Sequence, residues 1–157
     1  MTILSFQSSQ PLSDSRITES KEILYSSQSD DRNIVCITST KEFFALKEDW
    51  NKLLEQSINP HPFVLWEWMF TWWETYQQEH KDKLCVLALY EANTLVAIAP
   101  FYIKTKGLFI KRLSLLGEGE HKNDAAVTTY PDIIVKKEYR SHAVSSFSTF
   151  LNKAKKS

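Results

Sequence analysis

Residues 62–76 read PFVLWEWMFTWWETY. This stretch gathers four of the protein's five tryptophans into fifteen residues. Leu65, Trp66, Met69, Phe70, Trp72, Trp73 and Tyr76 recur at i, i+3, i+4 and i+7, which puts them on one face of a helix. Glu67, Thr71, Glu74 and Thr75 fall on the opposite face. The spacing therefore predicts an amphipathic surface helix with a bulky apolar stripe rather than a membrane span. Each large aromatic taken out of water contributes roughly 1.5–3 kcal/mol, so this helix can anchor a core by itself.

Upstream, residues 33–38 read NIVCIT, whose β-branched content predicts a strand. A helix follows: Ser39 stands three residues before Glu42, the spacing of a capping box, and Phe43, Leu46, Trp50, Leu53 and Leu54 share one face. Asn59, Pro60 and Pro62 end it, because proline cannot continue the hydrogen-bond ladder. Downstream of the aromatic run and a polar stretch at 77–83, LCVLALY at 84–90 is a continuous apolar run, as expected of a strand buried on both faces. A turn at 91–94 leads to a second strand at 95–103, antiparallel to the first because the connection is short. A third strand at 108–116 has adjacent Lys111 and Arg112, which break its alternation and mark either a bulge or an edge position. A short strand at 133–135 and a helix at 138–153 complete the pattern. Fold class is therefore α/β, with an antiparallel-rich sheet covered by two N-terminal helices and one C-terminal helix.

A chain of 157 residues that is 43% hydrophobic and 13% aromatic can bury a single core, so residues 32–157 read as one domain. Residues 1–31, rich in Ser, Gln, Asp and Glu, read as a disordered arm. Nineteen basic and nineteen acidic residues cancel, which argues against the excess positive field that nucleic acid requires. No run reaches the roughly 18 apolar residues of a membrane helix, and no secretory signal is recognisable, so a cytoplasmic protein is expected. The two cysteines, Cys36 and Cys85, each sit in an apolar strand-like run without C-x-x-C spacing and read as reduced core residues.

Three blocks carry a resemblance: PFVLWEWMFTWWETY at 62–76, VAIAPFY at 96–102 and KRLSLLG at 111–117. In order and spacing they resemble the N-terminal half of the CelD-like, BioF2-type acyltransferases of the GNAT superfamily. The resemblance implies a GNAT-like domain in a tandem, FemAB-like architecture, and transfer of an acyl group from acyl-CoA, such as acetyl-CoA, to an amine. It also implies that this half lies on the substrate side and is inactive alone, since the half with the cofactor site lies outside the sequence, whether the chain is naturally short or truncated. The implied partner is that second half. The alternative is a non-enzymatic binding module that docks a protein, such as a second copy of itself.

The residues themselves give few chemical handles. The three glycines are Gly107, Gly117 and Gly119. A pyrophosphate loop needs glycines that let backbone N–H groups at a helix start approach phosphate. Arg112 lies too far before Gly117, and Glu118 and Glu120 are acidic, so 117–119 reads as a strand-to-loop turn. In related sequences the segment after KRLSLLG is acidic and aromatic and lines the groove between the halves. Asp124, beside His121 in a polar loop, and Asp132 are two alternative matches to its acidic position. With Gly117 and with Trp68, which stands at the edge of the aromatic stripe, they are the candidate substrate-binding residues, Asp124 being also the one weak catalytic candidate. His61, between two prolines, reads as part of a rigid loop. His80, His142, Glu67 and Glu74 are further acid–base candidates. No H-x-x-x-H or H-E-x-x-H spacing indicates a metal, and no flanked Ser or Cys indicates a covalent nucleophile.

Overall fold

β2 (Lys83–Glu91) is the centre of the molecule, and its unbroken apolar sequence is explained by burial on both sides. Leu84, Val86 and Ala88 point into one cluster, while Cys85, Leu87 and Leu89 point into another. That alternation is the period of a strand with both faces covered. A computed structural model describes residues 32–77, 82–106, 110–118 and 132–155. In it β1 (Arg32–Ile37), β2, β3 (Thr94–Lys106) and β4 (Ile110–Leu115) form an antiparallel meander in the order β1-β2-β3-β4. β5 (Ile134–Val135) pairs with β3 on the same side as β4. The expected arm at 1–31 lies outside the described residues.

The hairpin between β2 and β3 turns on Ala92 and Asn93, at φ 44° and 63°. Both central residues in the left-handed region give the turn that matches the twist of the strands. The register shifts between Leu89 and Tyr90, so the bulge lies here. Lys111 and Arg112 belong to an edge strand, whose six pairs with β3 run without interruption and whose residues Lys111, Arg112 and Leu113 are exposed.

Helices α1 (Thr40–Ala45), α2 (Lys47–Glu55) and α3 (Trp66–Tyr76) cover one face, and α4 (Arg140–Ala154) covers the other. The capping box forms: Ser39 Oγ accepts from Glu42 N at 3.2 Å while Glu42 Oε2 accepts from Ser39 N at 3.4 Å. The helix expected after it is divided into two at Leu46, whose N–H is shared between the carbonyls of Glu42 and Phe43. Its apolar face is nevertheless the expected one, since Phe43, Leu46, Trp50, Leu53 and Leu54 are all buried.

The aromatic run behaves as a helix only from Trp66. Residues 62–64 form a 3-10 turn, and Leu65 is extended at φ −59° and ψ 141°. Leu65 therefore leaves the stripe on which its spacing placed it and is 42% exposed. Trp66, Met69, Phe70, Trp72 and Trp73 are buried, and Glu67, Thr71, Glu74 and Thr75 are exposed. Three indole N–H groups tie the helices together: Trp50 to the Val64 carbonyl at 2.9 Å, Trp66 to the Phe43 carbonyl at 3.1 Å, and Trp73 to Thr40 Oγ1 at 3.1 Å. Phe43, Trp66 and Phe70 pack ring against ring, with Trp66 and Phe70 stacked at 4.5 Å. Among the described residues no helix is long and apolar enough to cross a membrane.

Candidate functional site

β4 and β5 lie end to end along β3, on the side away from β2. Leu115 stands opposite Phe101 and Ile134 opposite Ile98, which leaves Ala99 and Pro100 of β3 between the two strands. Pro100 explains how a central strand tolerates the break. Its carbonyl accepts from Leu116 N at 2.7 Å, so its nitrogen faces the same side, where the ladder stops. Having no N–H, Pro100 cannot return that bond, and the ladder ends there. Of the four candidate substrate-binding residues, Gly117 and Asp132 stand at the two sides of this gap.

Gly117 stands on the β4 side of the gap. Gly117 is buried with φ 88°, a conformation that costs glycine little, within a turn closed by Glu118 N donating to the Leu115 carbonyl at 3.0 Å. Tyr102 pins the turn from β3: its hydroxyl donates to the Glu118 carbonyl at 2.6 Å. Burial, reinforced by the nearby Asp82 carboxylate, pushes the Tyr102 phenol up to about 12. The Glu118 carboxylate folds back to accept from Leu115 N at 3.3 Å. An acyl-CoA pyrophosphate does not fit this turn, because a carboxylate already occupies a backbone N–H and sets negative charge beside it.

Asp132 stands on the β5 side. It lines a cleft with Ser57, Asn59, Val64 and Arg140 whose cavity of about 10 Å³ has room for about one water. Asp132 Oδ1 accepts from Ile133 N at 2.8 Å, which orients the carboxylate. The cleft is closed by strand-like pairing of Ser57 with Lys136 and by Ile58 N donating to the Val135 carbonyl at 3.3 Å.

Gly117 and Asp132 thus flank one gap on β3, although fifteen positions apart in sequence. Trp68 belongs to α3, is 38% exposed and packs edge-on against Phe63 at 5.4 Å. Its link to the Asp132 cleft runs through the 62–64 turn, whose Val64 lines that cleft. Asp124, His121, Gly119, Gly107 and His80 lie outside the described residues.

The remaining candidates are elsewhere. Glu67 pairs with Lys47 at 3.0 Å, which holds its carboxyl below the usual range, and Lys47 also lies over the Trp66 ring at 4.8 Å. His142 shares a 3.3 Å hydrogen bond with Ser146 on α4, and Glu74 is exposed. His61 Nδ1, Asn51 Oδ1 and Trp72 Nε1 are buried without a hydrogen-bond partner among the described residues. No group of three His, Cys, Asp or Glu side chains among the described residues is arranged to hold a metal ion.

Sequence reasoning passed over Tyr102 and Arg140. The signal for the first lay in the A-P-F-Y block itself, because a tyrosine two residues after a strand proline sits beside whatever interrupts the ladder. No family model, curated protein or solved structure matches this chain.

Proposed function

We propose that this domain is the substrate-side half of an N-acyltransferase with a GNAT-like fold, acting with a second half that carries acyl-CoA. The observation that supports it most is the gap on β3 between the end of β4 and the start of β5. Gly117 and Asp132 stand at its two sides, within the sequence segment that the resemblance assigns to the groove between halves. In this reading Asp132 and Asp124 draw the protonated amine to the groove by charge, and Trp68 borders it. The acyl donor belongs to the other half, in keeping with the poor fit of a pyrophosphate at Gly117.

The test is acetyl transfer to amines by the chain, by the product of the coding sequence beside it, and by the two co-expressed. Activity of the pair that neither member shows alone is expected, falling at least tenfold with Asp132→Asn or Asp124→Asn. An active isolated chain, or full activity in both variants, would contradict the proposal.

A second reading is favoured by exposed apolar side chains on the helical side: Phe44 is 61%, Leu65 42% and Trp68 38% exposed. A non-enzymatic module that pairs with a second copy of itself would bury them. It predicts a dimer in sedimentation equilibrium that Phe44→Ser with Trp68→Ser converts to monomer.

A further inference from the structure

Cys36 and Cys85 are separated by 49 positions, yet their Sγ atoms lie 3.6 Å apart. The register of β1 on β2 sets Cys36 opposite Leu87, which makes Cys85 its diagonal neighbour on the same face of the sheet. Both thiols are free. They differ in access, because Cys36 is half-buried on an edge strand while Cys85 is 8% exposed on the central strand. Two sulfurs in contact, one partly exposed and the other buried behind it, are the arrangement of an attacking and a resolving thiol.

We propose that Cys36 and Cys85 form a thiol-exchange site for low-molecular-weight disulfides. In the first step the Cys36 thiolate attacks one sulfur of RSSR. The Cys36–SR bond forms, the S–S bond of the reagent breaks, and RS⁻ leaves. In the second step Cys85 attacks the Cys36 sulfur, the Cys36–Cys85 bond forms, and the second RS⁻ leaves. The two protons from the protein thiols go to the departing thiolates, so one RSSR is reduced to two RSH and the protein is oxidised by two electrons.

The electrostatics give the same order. The hydrogen bond from the Cys85 thiol outweighs burial and the nearby Glu42 carboxylate and lowers Cys36 below an ordinary thiol. Cys85 is pushed up, first by its hydrogen bond to Cys36, then by burial and by the charge of the Cys36 thiolate. Capping Cys36 with SR abolishes that thiolate, which removes two of the three causes that hold the proton on Cys85. Each step thereby prepares the next. Closure to a bond of about 2.05 Å draws the sulfurs together by roughly 1.5 Å. β1 can supply this movement, since among the described residues it is hydrogen-bonded to the sheet on one side only.

The folded protein is treated with glutathione disulfide, quenched with acid and read by mass spectrometry, with peptide mapping. Wild type is expected to lose two hydrogens through a Cys36–Cys85 link. Cys85→Ser should stop as a mixed disulfide on Cys36, and Cys36→Ser should react at least tenfold more slowly. Should either variant fail to fold, a sub-stoichiometric pulse of iodoacetamide on wild type should label Cys36 before Cys85. Overturning results are a mixed disulfide that persists in wild type, labelling of Cys85 first, or thiols that react with glutathione disulfide only when urea unfolds the chain.

Discussion

Trp50 and Trp72 are both deeply buried tryptophans on the same side of the sheet, and replacing each by phenylalanine should have unequal costs. Trp50 is fully buried with its indole N–H on the Val64 carbonyl at 2.9 Å. Trp72 is 6% exposed, packs against Tyr102 at 5.3 Å, and has no partner for its indole nitrogen among the described residues. Trading an indole for a phenyl ring removes similar apolar volume at both sites and costs about 1–2 kcal/mol through the void it leaves. At Trp50 the change also deletes a buried hydrogen bond and strands the Val64 carbonyl, which adds about 1–2 kcal/mol. At Trp72 it removes a donor that burial had already deprived of water, so about 1–2 kcal/mol is recovered. Trp50→Phe should therefore destabilise by about 2–4 kcal/mol and Trp72→Phe by no more than about 1 kcal/mol. At about 4 °C per kcal/mol for a domain of this size, their melting temperatures should differ by about 8–16 °C. Urea and thermal unfolding followed by far-UV circular dichroism measure this without relying on tryptophan fluorescence. Equal costs, or a larger cost at Trp72, would refute the assignment of the hydrogen bonds.

The hairpin offers a gain in stability, because Ala92 occupies the left-handed region at φ 44°. Changing Ala92–Asn93 to Asn–Gly supplies the residues that favour this turn and should stabilise by about 1 kcal/mol, read as a raised urea midpoint. Ser39→Ala removes the capping-box acceptor at the start of α1 and should cost about 1 kcal/mol in the same assay. Tyr102 is raised from 10 to about 12, mainly by burial, so the folded state favours its protonated form. Its contribution is complete below pH 10 and is lost as pH rises toward about 12. Tyr102→Phe should flatten the fall in stability across that window and lower stability at pH 7 by about 1 kcal/mol, since the bond to Glu118 is gone.

The parts of this fold legible in the sequence are those fixed by periodicity. Phe43, Trp50 and Leu53 are buried because they share a helical stripe, and 84–89 is buried throughout because the strand has neighbours on both faces. Leu65 was misleading for a local reason: it satisfies the helical spacing but precedes the helix, where its extended backbone turns the side chain out. The split at Leu46 has no sequence signal, since helical spacing is unchanged across it. What remained illegible depends on strand register. The contact of Cys36 with Cys85 follows from pairing Cys36 with Leu87, and the closeness of Gly117 and Asp132 follows from pairing Leu115 with Phe101 and Ile134 with Ile98. Neither pairing is written in any one segment. Pro100 is the partial exception, because a proline inside an apolar strand announces a missing ladder bond, although not what stands beyond it.

If this domain serves the substrate side of acyl transfer and another half carries the acyl donor, as proposed, acyl-CoA should not bind it. Thermal unfolding of the purified chain with excess acetyl-CoA, and with a longer acyl-CoA, tests this most directly. A cofactor held at about 100 times its dissociation constant would add about 2.7 kcal/mol of stability. The account predicts one cooperative transition whose midpoint neither compound moves. A rise of several degrees with either acyl-CoA would contradict it and place the donor site within this domain.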